Sequence, residues 1–371
     1  MHGDACYYGT TRGYFCLPPA RGERFFIFTR MDSTDLHAAI RDGTLAQLPP
    51  DALTPERLTA RNASGTTPLH TAAKHGRLHE LPAPILSLEY LTLKNDAGYT
   101  PLHHAALGGC LDQIPAALLT ADLLSGRSNA GITVFHLASA HGHLDQIPTA
   151  LLTAEVVLRK TDVGNNLLHE AAESGKLDCM PLHFITAENL AQKNLGGETV
   201  LHVAAFNGHL DQVPIMLLTA AALRETTSAG DTVFHAAAIS GHLEQIPSAL
   251  LTHDNLVIAS KTGFTAIHAA AETGQLGKIP EAQLTLDLLL TRNDNGDTPL
   301  HAAAHEGHLD QIPAALLTLQ TAGARNYDGL TVAQLAFERG HYDQVPESAR
   351  PKRLSPIRRF LRNLGRSRAP F

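Results

Sequence analysis

The sequence predicts an all-α protein, a solenoid of about ten helical units that are each 33 residues long. Nine histidines recur at this spacing, at positions 37, 70, 103, 136, 169, 202, 235, 268 and 301. Ala and Leu dominate the composition and Trp is absent, which favours helices over sheets. Because a unit of this size cannot bury its own apolar face, neighbouring units must stack.

The residues around each histidine are also fixed. In all ten units Ala lies two places after the histidine, Gly six places after it and Pro twelve places after it. Gly lies five places before it in nine units, and Gln334 replaces the histidine in the tenth. We number the units from one to ten and count places from this position, which we call the histidine place.

The segment around each histidine predicts a short first helix. In the ninth unit Thr298 is a suitable N-cap, and Pro299 occupies the first helical position. Helix-forming alanines follow, and Gly307 suits the left-handed conformation that ends many helices. The small alanines allow a neighbouring helix to approach closely.

A second helix is predicted from the stretch GHLDQIPAALLT at 307–318, which recurs with small changes in other units. The apolar residues with the spacing of one helical face are Leu309, Ile312, Leu316 and Leu317. We expect Asp310 to cap this helix, so that Pro313 lies in the first turn. The main-chain N–H groups there have no helical partner, and the proline breaks no hydrogen bond.

A third helical turn is predicted after this stretch. Several units carry Thr-x-Glu/Asp-x-Leu, such as Thr186, Glu188 and Leu190 in the fifth unit. A Thr cap with an acid in the first turn favours a short helix. A polar stretch and Gly-x-Thr then lead into the next unit.

This pattern resembles the ankyrin repeat. The residues that carry the resemblance are Gly98-Tyr-Thr100-Pro101-Leu102-His103-x-Ala105-Ala106-x-x-Gly109 and their equivalents, over about 32–349. The resemblance implies a solenoid of stacked helices and a structural function for the histidines, whose side chains bridge main-chain groups of neighbouring turns in that family. The proline twelve places after the histidine and the third helical turn depart from the family pattern.

The resemblance also implies where a partner binds. In the family, the places four before and four after the histidine lie on the finger and on the concave side of the first helix. Apolar residues occupy these places at Tyr99, Leu107, Ile132, Phe206, Ile239 and Phe264. We therefore expect a non-catalytic, monomeric scaffold that binds another protein in a groove along units three to eight. The alternative is scattered exposed apolar residues, which are common on protein surfaces.

Catalysis and metal binding find no support in the motifs. No P-loop, G-x-S-x-G, G-x-G-x-x-G or H-E-x-x-H is present, so we expect no enzyme and no cofactor. Histidines of adjacent units lie about one helix spacing apart, too far to share a zinc ion. The four cysteines show no metal-type pairing and are too few for a disulfide framework, which is typical of free thiols in the cytoplasm, whether of the source cell or of a host cell entered by a microbial effector.

Charge is distributed unevenly along the chain. The whole chain is −7, but residues 350–371 carry eight Lys or Arg and no acid, and residues 1–31 are +2. The body between them is therefore −17, which argues against nucleic-acid binding by the body. No apolar run approaches the roughly 18 residues of a membrane helix.

The C-terminal segment 350–371 reads as a small basic amphipathic helix. Its apolar stripe includes Phe360, and Arg358, Arg359 and Arg362 lie beside it. It could cap the last unit or remain a solvated tail, bind an anionic membrane surface so that the chain acts as an adaptor, bind a partner groove, or bind RNA. Residues 1–31 fit no unit, so translation starts at Met31 or this irregular segment forms a short cap or hairpin.

Overall fold

Ten α-helices, one in each unit, form a continuous row in the computed structural model, which describes residues 33–350. Each of these first helices packs against those of the preceding and following units. They span Ser33–Asp42, Pro68–Lys74, Pro101–Gly108, Val134–His141, Leu167–Ser174, Val200–Asn207, Val233–Ser240, Ala266–Glu272, Pro299–Glu306 and Val332–Arg339. The predicted all-α solenoid is therefore confirmed over the described residues.

The ends of the first helices form as predicted. Thr100 is the N-cap of Pro101–Gly108, and its side chain accepts a hydrogen bond from the main-chain N–H of His103. Gly109 ends the same helix in the left-handed conformation, with φ 66° and ψ 42°. A side chain at that φ would be strained, which explains why glycine recurs six places after the histidine.

The predicted second helix does not form. Two short turns replace it, one on each side of the proline, and both are 3₁₀ turns except the second one of the ninth unit. The first turns are Leu45–Gln47, Leu78–Glu80, Leu111–Gln113, Leu144–Gln146, Leu177–Cys179, Leu210–Gln212, Leu243–Gln245, Leu276–Lys278, Leu309–Gln311 and Tyr342–Gln344. The second turns are Pro50–Ala52, Ala83–Ile85, Ala116–Leu118, Thr149–Leu151, Leu182–Phe184, Ile215–Leu217, Ser248–Leu250, Glu281–Gln283 and Glu347–Ala349.

The proline is the physical reason for this difference. A residue before proline is pushed out of the helical region, and Ile312 is extended, with φ −90° and ψ 129°. Pro247, in the seventh unit, has φ −52° and ψ 125°, so the chain stays extended for two residues. Asp310 therefore caps no helix, and Pro313 lies in no helical turn. The apolar residues Leu309, Ile312 and Leu317 are nevertheless buried, because the two turns present them to the core.

The predicted third helical turn is confirmed. Four-residue helices occur at Pro55–Leu58, Leu88–Leu91, Ala121–Leu124, Ala154–Val157, Ala187–Leu190, Ala220–Leu223, His253–Leu256, Leu286–Leu289 and Leu319–Ala322. Thr186 caps one of them by accepting a hydrogen bond from the N–H of Asn189 at 3.2 Å. The leucine of the motif, here Leu190, is buried beneath the turn.

Tight turns connect each unit to the next, and they are stacked along one edge of the molecule. The main-chain N–H of Asn129 donates to the oxygen of Ala97 at 3.0 Å, and equivalent bonds join the other turns. Within residues 33–350 the extended structure consists of four single antiparallel bridges, such as that between Lys193 and Thr199, and no strand forms. The array is thus held by main-chain contacts at its edge as well as by apolar packing.

The core is one continuous layer between the first helices and the outer turns. Alanines of the first helices, such as Ala105 and Ala138, are fully buried and allow the close helix packing that the sequence predicts. Leucines of the outer turns, such as Leu111 and Leu210, close the layer from the other side. All the large buried apolar side chains of 33–350 belong to this layer.

Candidate partner-binding face

The histidines of the repeat join neighbouring units. The main-chain N–H of Thr100 donates to Nδ1 of His103 at 3.1 Å, so Nδ1 carries no proton. The proton is on Nε2, which donates to the main-chain oxygen of Ile132 in the next unit at 3.2 Å. Seven histidines reach the carbonyl four places before the next histidine place, whereas His136 reaches that of Arg159. The structural function implied by the family resemblance is confirmed.

Burial keeps these histidines neutral. Desolvation lowers the pKa of His70, His103, His136 and His169 from 6.5 to about 4. It also lowers the pKa of His202, His235, His268 and His301. A protonated Nδ1 could not accept the N–H of the capping residue, so the hydrogen bonds and the low pKa require the same neutral form.

The glutamine of the recurring LDQ sequence makes a second link that the sequence analysis missed. Gln146 donates from Nε2 to the oxygen of Gly109 at 2.8 Å, and its Oε1 accepts from the N–H of Leu111 at 2.9 Å. Other glutamines likewise donate to a main-chain oxygen and accept from a main-chain N–H of the preceding unit. They are Gln113, Gln212, Gln245, Gln311 and Gln344, and, in the eighth unit, Gln275. Glu80 and Cys179 occupy this place in the second and fifth units, and there the link to the preceding unit is missing.

A second histidine of the repeat packs over glycine. A Cβ atom added at Gly208 would lie 2.8 Å from Nε2 of His242, which covers it from the next unit. His143, His209, His308 and His341 cover glycines in the same way. These histidines therefore also have a packing function.

One side of the array is formed by residues four places before, and one, four and five places after, the histidine place. We call it the inner face. A cavity of about 460 Å³ at its N-terminal end is lined by residues such as Arg41, Lys74 and His75. Another of about 240 Å³ at its C-terminal end is lined by Phe264, Glu272, Asp297, Ala302, Glu306 and Leu335, among others. These six residues are named the C-terminal groove.

The structure places the six predicted partner-binding residues on this face, with unequal exposure. Phe206 and Ile239, in adjacent units, are 55% and 46% exposed. Tyr99, Leu107, Ile132 and Phe264 are half-buried. Tyr99 and Phe264 each pack against the histidine of their own unit, with ring centroids 5.4 Å apart. The predicted tail residues Arg358, Arg359, Phe360 and Arg362 lie outside the described residues.

The opposite side, which we call the outer face, carries apolar residues that the sequence analysis did not single out. Ile215 and Met216 are 74% and 79% exposed in the sixth unit, and Leu182 occupies the same place as Ile215 in the fifth. A cavity of about 470 Å³ lies beside Ile215. The sequence could have shown these apolar residues, because most other units carry Ala, Ser, Thr or Glu at the place of Leu182 and Ile215.

The described part of the chain was searched for metal-binding clusters, reactive thiols and membrane-spanning helices. Among residues 33–350 no three His, Cys, Asp or Glu side chains come together as they would around a metal ion. Cys110 is buried and burial raises its pKa to about 11, which disfavours a reactive thiolate. No helix within 33–350 combines the length and the apolar character needed to cross a bilayer.

The fold and its inter-unit links define a helical repeat array. Models of ankyrin repeats match residues 135–223 and 201–280, in blocks of three copies, and a model of the single ankyrin repeat matches residues 295–322. The chain is an ankyrin-repeat protein, and its repeats indicate a protein–protein interaction domain. No enzyme family was found among these matches. No curated protein matches the chain.

Proposed function

We propose that the protein is a non-catalytic scaffold that binds a partner protein on its inner face, centred on units six and seven. The observation that supports this proposal is the pair Phe206 and Ile239. Both are apolar, both lie four places after the histidine, and both expose about half of their surface. Large apolar side chains at adjacent, equivalent places form a continuous contact for a partner rather than isolated exposed residues.

The surroundings of this pair also favour binding of a protein segment. The first helices beneath it are tightly packed, with Ala204, Ala205, Ala237 and Ala238 fully buried, so the face is rigid before a partner arrives. A preformed surface loses little conformational entropy on binding. The half-buried Phe264 continues the apolar stripe into the eighth unit.

The experiment compares two pairs of substitutions in the full chain. Phe206→Asp with Ile239→Asp adds two negative charges to the inner face. Ile215→Asp with Met216→Asp adds two negative charges to the outer face. Partners captured from cell lysate are identified by mass spectrometry, and circular dichroism checks the fold of each variant. Loss of a partner with the inner pair only supports the proposal. Loss with the outer pair only would place the interface on the outer face.

The alternative function, an adaptor held at an anionic membrane by residues 350–371, is tested separately. Flotation with anionic liposomes is compared between the full chain and a variant with Arg358→Glu, Arg359→Glu and Arg362→Glu. Equal flotation of the two chains would remove this alternative.

A further inference from the structure

The C-terminal groove combines an apolar floor with acidic walls. Phe264, Ala302 and Leu335 are half-buried, and Glu272, Asp297 and Glu306 rise beside them. Glu306 contacts His305, but neither Glu272 nor Asp297 has a Lys or Arg partner among residues 33–350. An apolar groove with uncompensated negative charge fits a segment that is both apolar and basic.

The acidity is confined to one half of the inner face. At the inner-face places, units five to ten carry eight Asp or Glu, among them Glu173, Glu198 and Asp231, and one Lys or Arg, which is Arg339. Units one to four instead place Arg41 and Lys74 there, with Asp42 as their acid. A basic segment is therefore attracted to the C-terminal half and repelled from the N-terminal half.

The chain itself supplies such a segment next to the groove. Residues 351–371 carry seven Lys or Arg and no acid, together with Ile357, Phe360, Leu361 and Leu364. The described chain ends at Arg350, whose Nε donates to the oxygen of Val345 at 2.8 Å and whose guanidinium lies over Tyr342. This segment therefore starts against the tenth unit, which contributes Leu335 to the groove.

The lengths agree with this arrangement. Five extended residues after Arg350 span up to about 17 Å, enough to turn round the end of the last unit. Ten further residues span about 15 Å as a helix, or one to two unit spacings of about 10 Å. These 15 residues therefore suffice to reach the C-terminal groove.

We infer that residues 351–371 of this chain dock in the C-terminal groove, with their apolar side chains on Phe264 and Leu335 and their arginines beside Glu272 and Asp297. This inference rests on the proposed function in one respect: a segment docked there competes with a partner that extends along the inner face from unit six. The array then carries its own competitor for partner binding.

The test uses the absence of tryptophan from the sequence. Phe360→Trp in the full chain introduces the sole tryptophan, whose emission wavelength and quenching by acrylamide report its burial. The exposed reference is the same chain with Arg358→Glu, Arg359→Glu and Arg362→Glu. We expect blue-shifted, protected emission in the first chain and solvent-exposed emission in the reference.

Two further variants of the Phe360→Trp chain locate the contact. Glu272→Gln with Asp297→Asn removes two charges from the groove, and Glu281→Gln with Asp310→Asn removes two exposed acids from the outer turns of the same two units. We expect the groove variant to lower the docking equilibrium constant about three- to tenfold and the outer variant to leave it unchanged.

Three results would overturn the inference. They are emission equal to that of the reference, protection that both variants leave unchanged, and protection that disappears on hundred-fold dilution, which would assign the groove to a second copy. Capture of a partner is scored independently. If the segment docks but no partner is captured, the proposed function is refuted and this inference stands. If a partner is captured through Phe206 and Ile239 but the tryptophan is exposed, this inference is refuted and the proposed function stands.

Discussion

The Nε2 atom of His103 lies 3.2 Å from the main-chain oxygen of Ile132, and this contact joins the third unit to the fourth. It requires the neutral imidazole with its proton on Nε2. Because equivalent contacts recur along the array, the protonation of one residue type affects most interfaces between units at once.

The first prediction concerns pH. The folded-state pKa of His70, His103, His136 and His169 is about 4, against 6.5 for an unperturbed histidine. The unfolded chain therefore binds more protons between these values. The stabilisation is complete above about pH 6.5 and is lost as the pH falls towards 4, by up to about 1.4 kcal/mol per pH unit for each histidine. Urea midpoints should fall steeply from pH 7 to pH 5, and equal midpoints would contradict this explanation.

The second prediction separates the two hydrogen bonds of one histidine. His235 accepts from the N–H of Thr232 at 3.0 Å and contacts the oxygen of Phe264 at 3.2 Å. His235→Ala removes both bonds and leaves a cavity, so the free energy of unfolding should fall by about 2–4 kcal/mol. His235→Gln should cost about half as much, because Gln334 accepts the equivalent N–H of Thr331 in the tenth unit.

Urea denaturation measures these changes, with exposed His183→Ala as the control, which should stay within about 0.5 kcal/mol of the parent. If His235→Gln were as destabilising as His235→Ala, the contact with Phe264 would carry the whole contribution.

The third prediction concerns the missing glutamine link. Cys179 lies beside Gly142, since a Cβ atom at that glycine would be 3.3 Å from Sγ. Cys179→Gln should therefore donate to the oxygen of Gly142 and accept from the N–H of Leu144, raising the free energy of unfolding by about 0.5–1.5 kcal/mol. Cys179→Ala controls for loss of the thiol, and a stabilisation shared by both variants would refute the proposed link.

The fourth prediction compares two glycines with the same backbone conformation. Gly208 has φ 77° and lies under His242, whereas Gly241 has φ 93° and nothing within 4 Å of an added Cβ. Gly241→Ala should cost about 1–2 kcal/mol from backbone strain alone. Gly208→Ala should cost more, because the imidazole must also move. Equal losses in thermal denaturation would show that His242 moves without cost.

The sequence predicted the units, the first helices and their caps, because those features depend on residues close together in the chain. The prediction of a second helix was wrong, although the apolar residues that suggested it were correctly expected to be buried. Leu309, Ile312 and Leu317 are buried as expected, but burial does not require a helix, and the conformational restriction that Pro313 places on Ile312 outweighs helix propensity.

The glutamine links could not be predicted because they depend on how units stack. Gln146 contacts residues 35 and 37 positions earlier, and its recurrence alone does not identify those partners. The candidate site shows the same limit. The register placed Phe206 and Phe264 on one face, but only the packing distinguishes the exposed ring from the half-buried one.

The junction between the fourth and fifth units has a mechanical consequence. Cys179 provides no glutamine link there, and His136 reaches Arg159 instead of the usual carbonyl. In a linear array, tension applied along the axis passes through every junction in series, so the weakest junction yields first. The junction of the first and second units lacks the same two links, because Glu80 occupies the glutamine place and His37 contacts Thr71 instead of a main-chain oxygen. We therefore expect a stretched molecule to open first at one of these two junctions.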